Sequence, residues 1–398
     1  MADAVRSRFR LTLAAGAAGL VLAVALGAIL ALAAGQGRLL RRQAAEGLDS
    51  RAVRLAEAGT AFLDRAETLA RTAAEAVDRR ILATDFGAGS RDTDAYLLLK
   101  AQLRSLYRLM GQQPFLLRAA LADVRGDYWE VSGLADGSMR VKSVVRIADP
   151  HRCPNANAVP GGDRDGACVL AALMKGDVNG TIYASEPLPD EGYDPRGEAW
   201  YLAVAGSKAP VFTAPAAEPA TGRASLRLAA PVVDAQGRFL GALVLTLDLQ
   251  DLSLLADNLS PAGQGRAFLA LPDGSLAAWP GPGGPVRAGA DGVVALANPA
   301  AADSPGAAQA LVLAAAPGEG TRDLHFAVAG APWLAASRSL PERVGRPALL
   351  AVAAAPASEL APGPLDRPGL PLALALALLA AVVALILGRM ASHRLEVL

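Results

Sequence analysis

Aromatic side chains make up only 5% of this 398-residue sequence, histidine occurs three times and cysteine twice. Neither sign of charge is in excess, since 38 Lys and Arg face 38 Asp and Glu, and no basic stripe marks a nucleic-acid surface. Cys153, Cys168 and His151 lie close in sequence, but His325 and His393 are remote, so no zinc-site spacing exists. Asp163-Arg164-Asp165-Gly166 resembles the start of a calcium loop, yet Met174 stands where its bidentate glutamate belongs, leaving a polar turn. No GxSxG elbow is present, nor a glycine-rich phosphate loop between strand and helix. These absences argue against an enzyme, a metal or cofactor protein and a nucleic-acid binder.

What is abundant is apolar sequence, at 53% of residues with a mean hydropathy of +0.30, above what a soluble domain requires. Residues 11–35 carry no charge and are long enough to cross the ~30 Å hydrocarbon layer as a helix. A second uncharged run, 368–388, lies between Arg367 and Arg389. Arg6, Arg8 and Arg10 before the first run, and Arg389 and Arg394 after the second, place both short tails in the cytoplasm by the positive-inside rule. The alternative for the first run is a signal peptide cut after Ala31-Leu32-Ala33. Either way residues 37–366 face outward, where a bridge between Cys153 and Cys168 would close a short loop.

Leu48, Leu55, Phe62 and Leu69 recur every seven residues, with Ala52, Gly59, Ala66 and Ala73 four positions after each. This pattern predicts a long stalk helix whose small residues admit another helix, either of a second subunit, giving a homodimer, or of the chain's own fold. A second helix is expected from Thr93, an N-cap residue, to about Met110. Further on, LADVRGDYWEV, PVVDAQGRFLGALV and ALPDGSLAAW each set an Asp and a Gly between apolar runs, which predicts antiparallel hairpins. In FLGALVLTLDL, Leu243, Leu245, Leu247 and Leu249 share one face, while Ala242, Val244, Thr246 and Asp248 share the other. Residues 280–289, rich in Pro and Gly, read as a surface loop. The expected fold is α+β, with a tail over 1–10, a membrane helix over 11–35 and a stalk helix over 36–90. A membrane-distal sheet unit over 91–260 and a proximal one over 261–362 follow, then a membrane helix over 368–388 and a tail over 389–398.

One stretch concentrates chemistry: YDPRGEAWY, residues 193–201, holds three aromatics, an arginine, an aspartate and a glutamate. It resembles the tyrosine-rich YDPRxRPWY box of double Cache (dCache) sensor domains, which are PAS-like units in bacterial transmembrane receptors. TAPAAEPATG resembles the loop that follows that box, PVVDAQGRFLGALV the family's PVxDxxGxxxGVV hairpin, and AVAAAPASEL the ending of its membrane-proximal unit. The resemblance covers about residues 36–390. It implies that the box begins a helix flooring the ligand pocket of the distal unit, with Tyr193, Trp200 and Tyr201 in the pocket. It also implies a transmembrane sensor of the bacterial inner membrane that binds a periplasmic small molecule. Family members continue into an output module. Here the output would belong to a longer or split receptor, or to a separate signalling partner.

In the family's amino-acid-binding members, an arginine two positions before the tryptophan clamps the ligand carboxylate. A tyrosine and an aspartate come from the next loop, and another aspartate from the last strand. This sequence carries Glu198, Ala216, Glu218 and Thr246 at those positions. A carboxylate in place of the arginine fork repels a ligand carboxylate. Glu198 and Glu218 beside Trp200 and Tyr201 would instead suit a cation such as an amine. Alternatively Glu198 points outward and pairs with Arg196. Trp129, beside Tyr128 on an expected strand, is a pocket or a core residue. The rival reading is a membrane-anchored structural or protein-binding module with a degenerate pocket.

Overall fold

The computed structural model describes residues 2–86, 93–134, 136–147, 168–177, 179, 181–188, 193–218, 221–281, 284–288, 293–300, 302, 304–316 and 322–360. It also describes 375–386 apart from 381, 384 and 385, and the side chains of the first helix chiefly from Leu39 onward. Cys153 and the turn at 163–166 lie outside the described residues.

No proline occurs before Pro114, and alanine and leucine dominate the start of the chain, so nothing interrupts a single helix, α1 (Ala2–Glu75). Short α2 (Arg79–Ala83) and α3 (Thr93–Gln112) follow; α3 ends two residues beyond the expected end at Met110. The apolar run 11–35 lies in α1. Among the described residues no helix is long and apolar enough to cross a membrane. The second apolar run is described only in part, with exposed Leu376, Leu378, Leu379, Val382, Val383 and Ile386.

The stalk stripe is buried within the chain. Leu48, Ala52, Leu55, Ala66 and Ala70 are fully covered. From Gly59 onward the buried positions step to Leu63, Ala66, Ala70 and Ala74, so Phe62 and Leu69 sit at the margin. A straight helix of 3.6 residues per turn drifts off a strict seven-residue repeat, and here it is laid on sheets rather than wound around a partner. A Cβ at Gly59 would stand 3.0 Å from Leu340. The face expected for a second helix is thus covered by the chain's own sheets.

The first sheet comprises β1 (Leu116–Asp123), β2 (Tyr128–Gly133), β3 (Met139–Ile147), β4 (Cys168–Gly176), β5 (Ile182–Pro187), β6 (Val211–Phe212), β7 (Ala216–Glu218), β8 (Arg223–Val233) and β9 (Phe239–Asp248). Its order is β5-β4-β3-β2-β1-β9-β8-β6, antiparallel, with β7 also on β8. A one-turn 3-10 helix (Pro195–Gly197) and α4 (Ala199–Ala205) cross one face of this sheet. Gly126, at φ +91°, makes the β1–β2 turn possible.

After α5 (Gln250–Leu259) the second sheet is built from β10 (Arg266–Ala270), β11 (Leu276–Ala278), β14 (Arg322–Val328), β15 (Ala331–Ser339) and β16 (Leu350–Pro356). Its order is β11-β10-β16-β15-β14. A ribbon of β12 (Val286–Ala288) and β13 (Val294–Leu296) flanks it, so part of the expected 280–289 loop is a strand. Then α6 (Pro305–Ala315) packs so closely that a Cβ on Gly306 would enter the Trp333 ring. Short α7 (Ala357–Leu360) ends the described fold before the second apolar run. Arg338 reaches Asp49 at 2.8 Å and Arg346 reaches Glu67 at 2.7 Å, tying the second sheet and its loop to α1. Cys168, buried at the start of β4, is disulfide-bonded, and Cys153 is the only other cysteine of the sequence.

Candidate functional site

The two faces of the first sheet serve different purposes. Leu243, Leu245 and Leu247 of β9 join Leu121, Val131 and Val141 in the core under α1. The alternate residues look into a cavity of about 350 Å³. Its floor is two adjacent rungs of the sheet. Cross-strand pairing aligns Arg227 with Thr246, Thr246 with Arg118, Arg118 with Ser132 and Ser132 with Arg140. The neighbouring rung runs Val244, Ala120, Glu130, Lys142 and Leu173. Tyr128, Tyr193 and Trp200 close the cavity from the side and above.

The box is positioned by its own polar residues. Asp194 accepts from the Arg196 backbone N–H at 2.9 Å and pairs with its guanidinium at 2.8 Å, which starts the 3-10 turn. Although burial alone pushes the Asp194 carboxyl up, these bonds and the Arg146 charge hold it below the usual carboxylate range. Arg146, on β3, donates through Nη2 to the Tyr193 carbonyl at 2.7 Å and so fixes the start of the box. The Tyr193 ring meets Tyr128 edge-on at 4.8 Å and receives Lys142 Nζ at 4.9 Å from its centroid. Burial, and secondarily the Glu198 charge, push the Tyr193 hydroxyl up; burial, then Glu130, do the same for Tyr128. Both phenols are therefore neutral donors at any physiological pH.

Of the residues expected from sequence, Tyr193, Trp200 and Thr246 line the cavity. Tyr201 does not: its ring packs on Phe239 and Trp200, and its hydroxyl donates to the Asp123 carbonyl at 3.0 Å. Trp129 is 1% exposed and stands edge-on to Phe86 at 5.3 Å, on the sheet face opposite Tyr128 and Glu130, so of its two readings it is the core one. Glu198 pairs with Arg227 at 3.5 Å, not with Arg196. Glu218, buried on β7, takes Arg118 at 2.6 Å. Neither glutamate lines the cavity, and each is neutralised by an arginine that does. The charge logic of a cation site therefore fails: the lining holds Arg118, Arg140, Lys142 and Arg227 against Glu130 alone.

Those four basic residues were missed in the sequence because the box drew attention to its loop. Their signal lay in the strands. LLRAALAD carries the single cation Arg118, MRVKSVVRI carries Arg140 and Lys142 two apart, and RASLRLAA carries Arg223 and Arg227 four apart, all on even spacings in otherwise apolar runs. Half-buried basic groups sharing one strand face mark a working face.

A larger groove, of about 780 Å³, lies where the end of α1 meets the loop after α4 and the β8–β9 hairpin, lined by Arg71, Glu75, Arg79, Lys208 and Phe239 among others. It contains no box residue, and Arg79 is bonded there to the Val233 carbonyl at 2.6 Å. Among the described residues no group of His, Cys, Asp and Glu is arranged to hold a metal.

No protein-family model matches the chain. Solved structures to which it is similar include the ligand-binding domain of the Pseudomonas fluorescens chemoreceptor CtaA with L-isoleucine, at 14% identity, 82% of this chain, 97% of that one and a TM-score of 0.44. The Campylobacter jejuni chemoreceptor Tlp3 with L-valine is similar at 9% identity, 81% of this chain, 97% of that one and a TM-score of 0.49. The Pseudomonas aeruginosa amino-acid chemoreceptor PctC with GABA is similar at 17% identity, 78% of this chain, 98% of that one and a TM-score of 0.45. All three are double Cache domains, the family that the YDPRGEAWY box resembles.

Proposed function

We propose that the chain is the sensory part of a bacterial transmembrane receptor, binding an extracytoplasmic small molecule in the distal cavity and passing the event to the membrane through α1. The observation that carries this reading is the 350 Å³ cavity roofed by Tyr193 and Trp200 on the polar rungs of the first sheet. Its size suits a small metabolite. Strand β9 supplies the route: Val244 and Thr246 face the cavity, while Leu243, Leu245 and Leu247 on the same strand pack in the core with α1. A ligand that prefers one seating of β9 over another shifts α1 by that difference in affinity and no more.

In this reading the apolar runs 11–35 and 368–388 are membrane spans of the inner membrane, the tails 1–10 and 389–398 are cytoplasmic, and the part between is periplasmic. The units are a stalk over 36–90, a distal unit over 91–260 and a proximal one over 261–362. The protein acts by binding, without catalysis. A thermal-shift screen of the purified chain tests it, because a native-state ligand raises the melting temperature in a dose-dependent way. The reading requires a saturable ligand whose effect is lost in Trp200→Ala. If melting responds to no small molecule, or Trp200→Ala binds unchanged, the anchored-module reading replaces it.

A further inference from the structure

We propose that the distal cavity takes a small organic anion bearing carboxylate, held on the rung Arg227–Thr246–Arg118–Ser132–Arg140. This rests on the ligand-binding reading above and specifies the chemistry of the same site. Strands lie about 4.8 Å apart, so Arg227 and Arg118 flank Thr246 across roughly 10 Å, and Arg118 and Arg140 flank Ser132 across the same span. The rung thus alternates guanidinium and hydroxyl over five strands, β8, β9, β1, β2 and β3. Every member of it lines the cavity. Such a row offers forked donors and hydroxyls to carboxylate oxygens, with Tyr193 and Trp200 over the carbon skeleton.

Three internal carboxylates already meet arginines of this row and show what it recognises. Glu218 Oε1 accepts from Arg118 Nη2 at 2.6 Å, and Glu198 Oε2 meets Arg227 Nη1 at 3.5 Å. Glu130 accepts from Tyr128 at 2.7 Å and faces Arg118 Nη1 at 3.5 Å. An ammonium entering here meets four cations, and each nearby carboxylate is already bound to an arginine or a tyrosine. A carboxylate exchanges for the Glu198 side chain, which is 36% exposed and turns to water, without stranding a buried charge. The arginine that clamps carboxylate in the amino-acid-binding pattern is absent from the box, where Glu198 stands, and the sheet supplies arginines in its place.

The test is calorimetric titration of the purified chain with acetate, benzoate, succinate and citrate, with putrescine and L-alanine as the cationic and zwitterionic probes. The expected result is saturable binding of at least one carboxylate, weakening as salt is raised, and none of putrescine. Arg140→Gln and the double variant Arg118→Gln/Glu218→Gln, which leaves no buried glutamate unpaired, are expected to weaken it roughly 10- to 100-fold. Binding of putrescine, or of L-alanine more tightly than every carboxylate, overturns the anion assignment and leaves the sensor reading intact. Carboxylate affinity unchanged in both variants also overturns it. No binding of any probe overturns the anion assignment, and with it the sensor reading if the wider thermal screen is silent too.

Discussion

Replacing Asp127 by Asn should remove the larger part of a pH dependence built into the β1–β2 hairpin. Asp123 and Asp127 are both fully buried, and the Asp127 backbone N–H donates to Asp123 Oδ1 at 2.9 Å. The Arg146 backbone N–H donates to Asp127 Oδ1 at 2.8 Å, and Arg125 forms an ion pair with Asp123. Arg196, Asp194 and the Tyr201 hydroxyl complete the surroundings. Burial pushes Asp123 up to about 6 against the pull of Arg125, and burial together with the Asp123 charge pushes Asp127 up to about 7. An acid whose folded pKa is raised binds more protons folded than unfolded between the two values, so the stability it contributes is complete below about pH 4 and declines as pH rises to 7. At about 1.4 kcal/mol per pK unit, a rise from 3.8 to about 7 bounds the loss for Asp127 at roughly 4 kcal/mol. Asp64, Asp194 and Asp234 are shifted the other way, so their effects fall below pH 4, outside the window from pH 5 to 8. Melting temperature measured across that window should fall with pH in the natural protein and fall less in Asp127→Asn, where only Asp123, raised by its own burial, still loses stability up to about pH 6. A wild-type melting temperature that climbs from pH 5 to 8, or an equal slope in the variant, refutes the reasoning.

Trp129→Ala should destabilise by about 3–5 kcal/mol in a denaturant titration, because it empties a fully buried site beside Phe86, while ligand affinity in refolded protein stays unchanged. Gly306→Ala should lower the melting temperature, since the added methyl meets the Trp333 ring on well-packed strand β15, and Gly111→Ala, with open space around it, should not. Arg346→Met should cost about 2 kcal/mol by leaving Asp64 and Glu67 of α1 without their shared guanidinium. Reduction with dithiothreitol should cost roughly 3 kcal/mol through the Cys168 disulfide, read as a drop in melting temperature that Cys168→Ser reproduces.

Local chemistry was legible where a residue's role is set by its neighbours in sequence. The Asp–Gly turns placed the hairpins β1–β2, β8–β9 and β10–β11, and strand alternation separated the leucine face of β9 from the face bearing Val244 and Thr246. The site was half legible. Tyr193, Trp200 and Thr246 line the cavity as the box resemblance implies, but the polarity of the site came out reversed. Glu198 and Glu218 looked like free acids because their partners, Arg227 and Arg118, lie on strands 29 and 100 residues away in sequence. Only the register of β8, β9 and β1 brings those charges together. The stalk stripe shows the same limit, since a small-residue face on a helix does not say whether a second chain or the chain's own sheet will cover it.

The most direct test of the account is a structure of the protein with a carboxylate that melts it at a higher temperature. The bound acid is expected between the Tyr193 and Trp200 rings and the Arg118 and Arg227 guanidinium groups, with Glu198 displaced from Arg227. A ligand found instead in the groove between α1 and the β8–β9 hairpin, with both glutamate–arginine pairs intact, would contradict it.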